Sequence, residues 1–107
     1  MATTPKKERL NLKELVSYQV GSVVSRQITK ADAGNVTLFA FDAGQELSEH
    51  TAPFDALVFI VEGQAEIIIS GKSFQLKSGQ AIIMLANDPH AVKATSQFKM
   101  LLTMIRS

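Results

Sequence analysis

Over most of its length this chain is never allowed to run straight for long. From Tyr18 onward, short apolar runs recur at intervals of roughly 8–12 residues, and Gly, Asn or Pro separates each from the next. Gly44, Gly63, Gly71, Gly79, Asn87 and Pro89 are the main stops. Helices of ordinary length do not fit between such stops, but strands do. The spacing predicts an all-β sandwich or barrel.

The individual runs agree. Asn35–Asp42 alternates, with Val36, Leu38 and Ala40 on one face and Thr37, Phe39 and Phe41 on the other. Both faces carry apolar groups, as a strand covered on two sides requires. Ala56–Val61 and Ala65–Ile69 are the next strands. Ser70-Gly71 reads as a compact hairpin turn, glycine supplying the positive φ such turns need. Ser73–Leu76 returns from it, and Ala81–Leu85, His90–Ala94 and Phe98–Ile105 complete the set. Tyr18–Thr29 alternates weakly, and Lys30–Asn35 is a turn. Asn87 suits a left-handed backbone position.

One short helix is expected before the strands, from Leu12 to about Ser17. Asn11 can cap it, Glu14 stands three residues later as in a capping box, and Leu10 and Leu15 are spaced for a hydrophobic staple. Residues 1–9 are polar and are expected to be loose. Lys6, Lys7 and Arg9 form a short basic cluster without interleaved aromatics, which reads as a solvated terminus and not as a nucleic-acid arm. A single domain over residues 10–107 follows.

Size and composition set the remaining bounds. The 107 residues, 46% hydrophobic and 20% charged, suit one ordinary globular core. A formal net charge of +1 gives no electrostatic reason to expect nucleic acid or an anionic membrane as a partner. There is no cysteine, so disulfides and thiolate chemistry are excluded. That absence fits a reducing compartment. No apolar segment follows the basic N-terminal residues, and Ala56–Val61 and Ala81–Ala86 are too short to span a bilayer. A cytoplasmic location is expected. No glycine-rich phosphate loop, G-x-S-x-G or H-E-x-x-H is present.

Two stretches, residues 44–63 and 79–94, carry the chemistry. Gly44 is followed by five residues and then His50, and the first stretch closes at Gly63. The second opens at Gly79 and reaches His90. This arrangement resembles the two motifs of the cupin family, and the hairpin between Val61 and Gly79 is similar to the segment joining them in small cupins. In the family's first motif a second histidine would fall on Ala52 and a glutamate on Ala56. In its second motif Leu85, Asn87 and Ala94 stand where proline, glycine and asparagine are usual. The resemblance covers roughly residues 36–105.

It implies a jelly-roll barrel, the double-stranded β-helix of the RmlC-like proteins, with its pocket between two antiparallel sheets. It also implies a homodimer. Three histidines and a glutamate typically hold iron, manganese, nickel or zinc there. Here His50 and His90 remain, and Ala52 and Ala56 cannot ligate. Two occupancies stay open, one divalent metal or none. Asp55, beside the vacant glutamate position, could serve as a third ligand if a bulge turned it inward. Glu49 should point away from His50 on a regular strand. Met84 or Met104 could face the pocket, although a thioether is a soft ligand that suits copper(I); core filling is the ordinary role of methionine.

The pocket is therefore expected to be lined by His50, Ala52, Ala56 and His90, with Phe39, Phe41 and Met84. Replacing a histidine and a glutamate by alanine makes such a pocket larger and more apolar. That favours binding of an uncharged or partly aromatic small molecule. The alternative is a metal-dependent enzyme of the dioxygenase or isomerase kind built on the two histidines.

Overall fold

A computed structural model describes residues 4–106. It is an all-β structure of nine strands, as the spacing of turn residues predicts. In chain order these are β1 (Val23–Ala31), β2 (Gly34–Phe41), β3 (Glu46–His50), β4 (Asp55–Glu62), β5 (Gln64–Ile69), β6 (Lys72–Lys77), β7 (Ala81–Met84), β8 (His90–Lys93) and β9 (Phe98–Ile105). They form a five-stranded sheet in the order β1-β2-β9-β4-β7 and a four-stranded sheet in the order β3-β8-β5-β6. All pairings are antiparallel. The two sheets face each other across one apolar core, which is the jelly-roll arrangement.

The alternation of β2 explains how its sheet is covered. Phe41 packs between the sheets with Ile60, Ile67, Phe98 and Met100. Leu38 and Ala40 face the other way and pack with Val61 beneath Leu12, Leu15, Val16 and Tyr18 of the N-terminal segment. That segment acts as a strap over the outside of the larger sheet.

The expected helix shrinks to a single 3-10 turn, Leu12–Glu14, and Asn11 makes no side-chain cap. The physical cause lies in the strap. A helix continuing to Ser17 would use the Lys13 carbonyl as acceptor for the Ser17 N–H. Instead the Lys99 ammonium donates to the Lys13 carbonyl at 2.6 Å, and Arg26 Nη1 donates to that of Leu15 at 3.4 Å. Residues 1–3 of the terminus expected to be loose lie outside the described residues. Thr4 is buried, and residues 5–9 are exposed.

The turns follow local chemistry. Ser70 and Gly71 both have positive φ, 49° and 82°, as a two-residue hairpin of the favoured hand requires. Asn87 has φ 68°. Gly63 has φ 78°, and a Cβ there would stand 2.5 Å from the Gln97 carbonyl oxygen. No larger residue fits where β4 turns against the start of β9.

Candidate functional site

The interior is unevenly filled. At one end Phe41 and Phe98 stack with ring centroids 4.5 Å apart, and both are fully buried. At the other end a cavity of about 50 Å³ remains, lined by twelve residues. Ala52, Ala56, Met84, His50 and His90 are among them. Leu47, Phe54, Val58, Val92, Met100, Leu102 and Met104 complete the wall. Apart from the two imidazoles, the lining side chains are apolar.

His50 and His90 are cross-strand partners on β3 and β8. His90 lies two residues from Val92, so simple alternation turns both inward. His50 lies three residues from Leu47, so alternation alone would turn it out. A bulge corrects this. Leu47 pairs with Val92 and His50 with His90, so Ser48 and Glu49 together oppose Ala91. The extra residue returns His50 to the inner face and leaves Glu49 exposed.

The ring geometry fixes the protons. His50 Nδ1 lies 2.8 Å from the Ser48 carbonyl oxygen, and His90 Nδ1 lies 3.0 Å from that of Asp88. A carbonyl oxygen only accepts, so each Nδ1 carries the hydrogen and donates. Each neutral ring then has its lone pair on Nε2. The two Nε2 atoms face one another at 3.0 Å, with the rings 68° apart. Two lone pairs at that distance repel unless a proton or another cation lies between them. The arrangement is an acceptor pair aimed at one point. His90 is buried and His50 is exposed, so that point lies at the cavity mouth.

The loops around the mouth are tied to one another. Asn87 N–H donates to the Ala52 carbonyl, and Ala86 N–H donates to Asp55 Oδ1, both at 2.8 Å. Asp55 is thus exposed and occupied in bracing the loop, and it is not part of the cavity wall. Phe39 and Phe41 point into the core but stand away from the histidines. Phe41 pairs with Phe98 and Phe39 with Met100, whereas the wall near the mouth is formed by Leu102 and Met104 further along β9. Six residues of strand, about 20 Å, separate Phe98 from Met104.

Sequence reasoning did not name Leu47, Phe54, Val58, Val92, Met100 or Leu102. The period-two rule finds most of them. Val58 is two residues from Ala56, Val92 two from His90, and Met100, Leu102 and Met104 share one face of β9. Phe54 precedes β4 and carries no such signal.

The donor set can be tested against the family's usual metal cage. Among the described residues no three His, Cys, Asp or Glu side chains come together. The two Nε2 atoms could form one edge of a coordination shell. The remaining positions, at Ala52 and Ala56, offer no oxygen or nitrogen. A hard divalent ion that wants carboxylate and imidazole ligands does not fit.

A second polar cluster lies on the outside of the larger sheet. The Tyr18 hydroxyl donates to Glu62 Oε2 at 2.6 Å, and Lys99 Nζ lies 3.7 Å from the same oxygen. Burial, the hydrogen bond to Glu62 and the Glu62 charge together push the Tyr18 phenol well above its ordinary value. The same hydrogen bond, aided by the charges of Lys99 and Lys13, holds the Glu62 carboxyl below its ordinary value. This cluster fastens the strap and is remote from the cavity.

Comparison with known proteins agrees with this architecture. The family model described as "Cupin domain" matches residues 37–106. A conserved protein of unknown function from Streptococcus pyogenes superposes with a TM-score of 0.92 and 33% identity, over 99% of this chain and 93% of that one. A cupin superfamily protein from Desulfitobacterium hafniense gives 0.91 and 25%, over 99% and 97%. A cupin 2 conserved barrel domain protein from Leptotrichia buccalis gives 0.88 and 39%, over 91% of this chain and 47% of that one. The search of curated proteins finds no match.

Proposed function

The chain belongs to the cupin family, and from that premise we propose that it is a binding module that takes a small ligand into the wide end of its barrel. One observation carries the reading. Two imidazole nitrogens converge at 3.0 Å on the mouth of an otherwise apolar cavity. Such a site offers one polar contact point and an apolar wall, the combination that orients a small molecule.

The cavity volume limits the ligand. About 50 Å³ is several-fold below the roughly 300–1,000 Å³ of a typical drug-sized site. The buried portion is then a compact apolar group of a few heavy atoms. The rest of the molecule stays at the mouth, where exposed His50 meets solvent. A neutral His50–His90 pair accepts a hydrogen bond from the ligand. A pair that shares a proton donates to a ligand oxygen once the ligand separates the rings.

Acting as an enzyme of the dioxygenase or isomerase kind, the alternative function, would need a third ligand at the mouth. Asp55 is held elsewhere by the Ala86 N–H, and Ala52 and Ala56 supply none.

The test is a thermal-shift screen of small metabolites on metal-free protein, beside His50→Ala/His90→Ala and Ala56→Phe. A ligand at a hundred times its Kd stabilises by about 2.7 kcal/mol, which is a rise of several degrees in Tm for a chain of this size. The expected result is a rise in the parent that both variants lose. A folded parent that responds to no compound sinks the proposal, as does a response that survives in the cavity-filling Ala56→Phe variant.

A further inference from the structure

The chain has two histidines, no cysteine and, after Met1, three methionines. All five of these side chains line the same cavity. Gap filling accounts for a methionine on an irregular wall. It does not account for every internal methionine sharing a cavity wall with both histidines.

Their register is informative. Ala56 on β4 pairs with Met84 on β7 on one side and with Met104 on β9 on the other. Cross-strand partners share a face and have Cβ atoms about 5 Å apart. The position where the family's carboxylate would stand is therefore flanked by two thioethers. Met100 lies on the same face of β9, deeper in the core.

We infer that His50, His90, Met84 and Met104 form a site for one soft monovalent cation, copper(I) in particular. The inference rests on the His50–His90 pair of the preceding section and not on the organic ligand proposed there.

Charge argues for a monovalent ion. No carboxylate lines the cavity, so an ion's charge would be compensated only by neutral ligands. The cost of moving an ion out of water rises with the square of its charge, and for a single charge it is already several kcal/mol. A divalent ion meets four times that cost with no anionic ligand to offset it. Ligand type argues for softness. Thioether sulfur with imidazole nitrogen selects copper(I) over the harder metals, and sodium or potassium would find no oxygen. Distance argues for the sulfurs. A linear complex with two metal–nitrogen bonds of about 2.0 Å would place the nitrogens about 4 Å apart. At 3.0 Å the two imidazoles can only flank an ion from one side. The open side faces the cavity, and the lone-pair side chains there are thioethers.

The test supplies copper(I) without oxygen, in competition with the chromophoric chelator bicinchoninate. X-ray absorption then reads the copper shell, and silver(I) serves as a redox-inert replacement. We expect one copper(I) per chain, with both nitrogen and sulfur neighbours. Met84→Leu/Met104→Leu keeps the wall apolar and of similar volume. It is expected to keep its Tm, lose the sulfur shell and bind copper(I) at least tenfold more weakly. His50→Ala/His90→Ala is expected to lose binding altogether. The inference is overturned if the bound copper has no sulfur neighbour. Unchanged affinity in the methionine variant overturns it as well, and so does a parent that takes zinc or nickel in preference to copper(I). The ligand screen on metal-free protein is read independently, so either proposal can fail while the other stands.

Discussion

The two ends of the barrel are built on the same strands and filled in opposite ways. At the narrow end, Phe41 and Phe98 stack face to face with Ile60 and Ile67 packed around them. At the wide end the inward stripes present Ala56 and two histidines, Ala52 stands in the loop between β3 and β4, and about 50 Å³ stays unfilled. On β4 the stripe runs Ala56, Val58, Ile60, so side-chain volume rises steadily from the mouth to the packed end. The gradient shows how one barrel can be both stable and hollow. Burial concentrated at one end holds the fold, which leaves the other end free to carry polar groups and space.

The sharpest way to break this contrast is Phe98→Ala. It empties the packed end and is expected to cost about 3–5 kcal/mol, read as a lower urea midpoint with unchanged m. An equal loss from trimming the wide end would contradict the gradient. Gly63→Ala attacks the packed end through the backbone. Its φ of 78° and the 2.5 Å approach to the Gln97 carbonyl predict a loss of about 1–3 kcal/mol. Filling the wide end should act in the other direction. Ala56→Val adds β-branched volume to the cavity and is expected to raise stability by about 0.5–1 kcal/mol, seen as a higher Tm. A clear drop in Tm would show that the space is smaller than the structure gives.

The mildest test lies outside both ends. The neutral Tyr18 phenol is favoured by folding, so its contribution is intact below its unfolded value of about 10 and declines as pH rises above that. The ionised Glu62 carboxyl is favoured by folding, so its contribution is intact above about 4.3 and declines as pH falls through the acid range. Tyr18→Phe should flatten the stability profile at both extremes and leave the cavity unaffected. Chemical denaturation at pH 3, 7 and 10.5 reads this directly, and a profile unchanged by the substitution would remove the Tyr18–Glu62 bond from the account.

Much of this architecture is legible in the residues alone. The turn residues set the strands, and β9 runs from Phe98 to Ile105 as the apolar pattern predicts. His50 and His90 do come together. What is not legible depends on distant partners. The helix after Asn11 has its capping signals, yet the Lys13 carbonyl that would extend it is taken by Lys99, 86 residues away. The inward turn of His50 depends on a bulge opposite Ala91, which local alternation does not announce. Phe39 and Phe41 share the inward face that alternation implies, but their depth along the barrel follows from pairing with β9. Ala56 looks merely vacant until the ladder sets Met84 and Met104 on either side of it.

The place of β9 at the heart of the larger sheet, between β2 and β4, matters before the protein is ever functional. It is the last of the nine strands to leave the ribosome. Until Phe98–Ile105 has formed its pairs, β1–β2 and β4–β7 are two unconnected hydrogen-bonded pairs, and Phe41, Val58 and Ile60 lack the cover of Phe98 and Met100. The sheet therefore closes late and over long sequence separations, which makes folding slow relative to helical chains of equal size. An intermediate that lacks β9 leaves apolar strand faces unshielded, the kind of surface that aggregates or recruits chaperones.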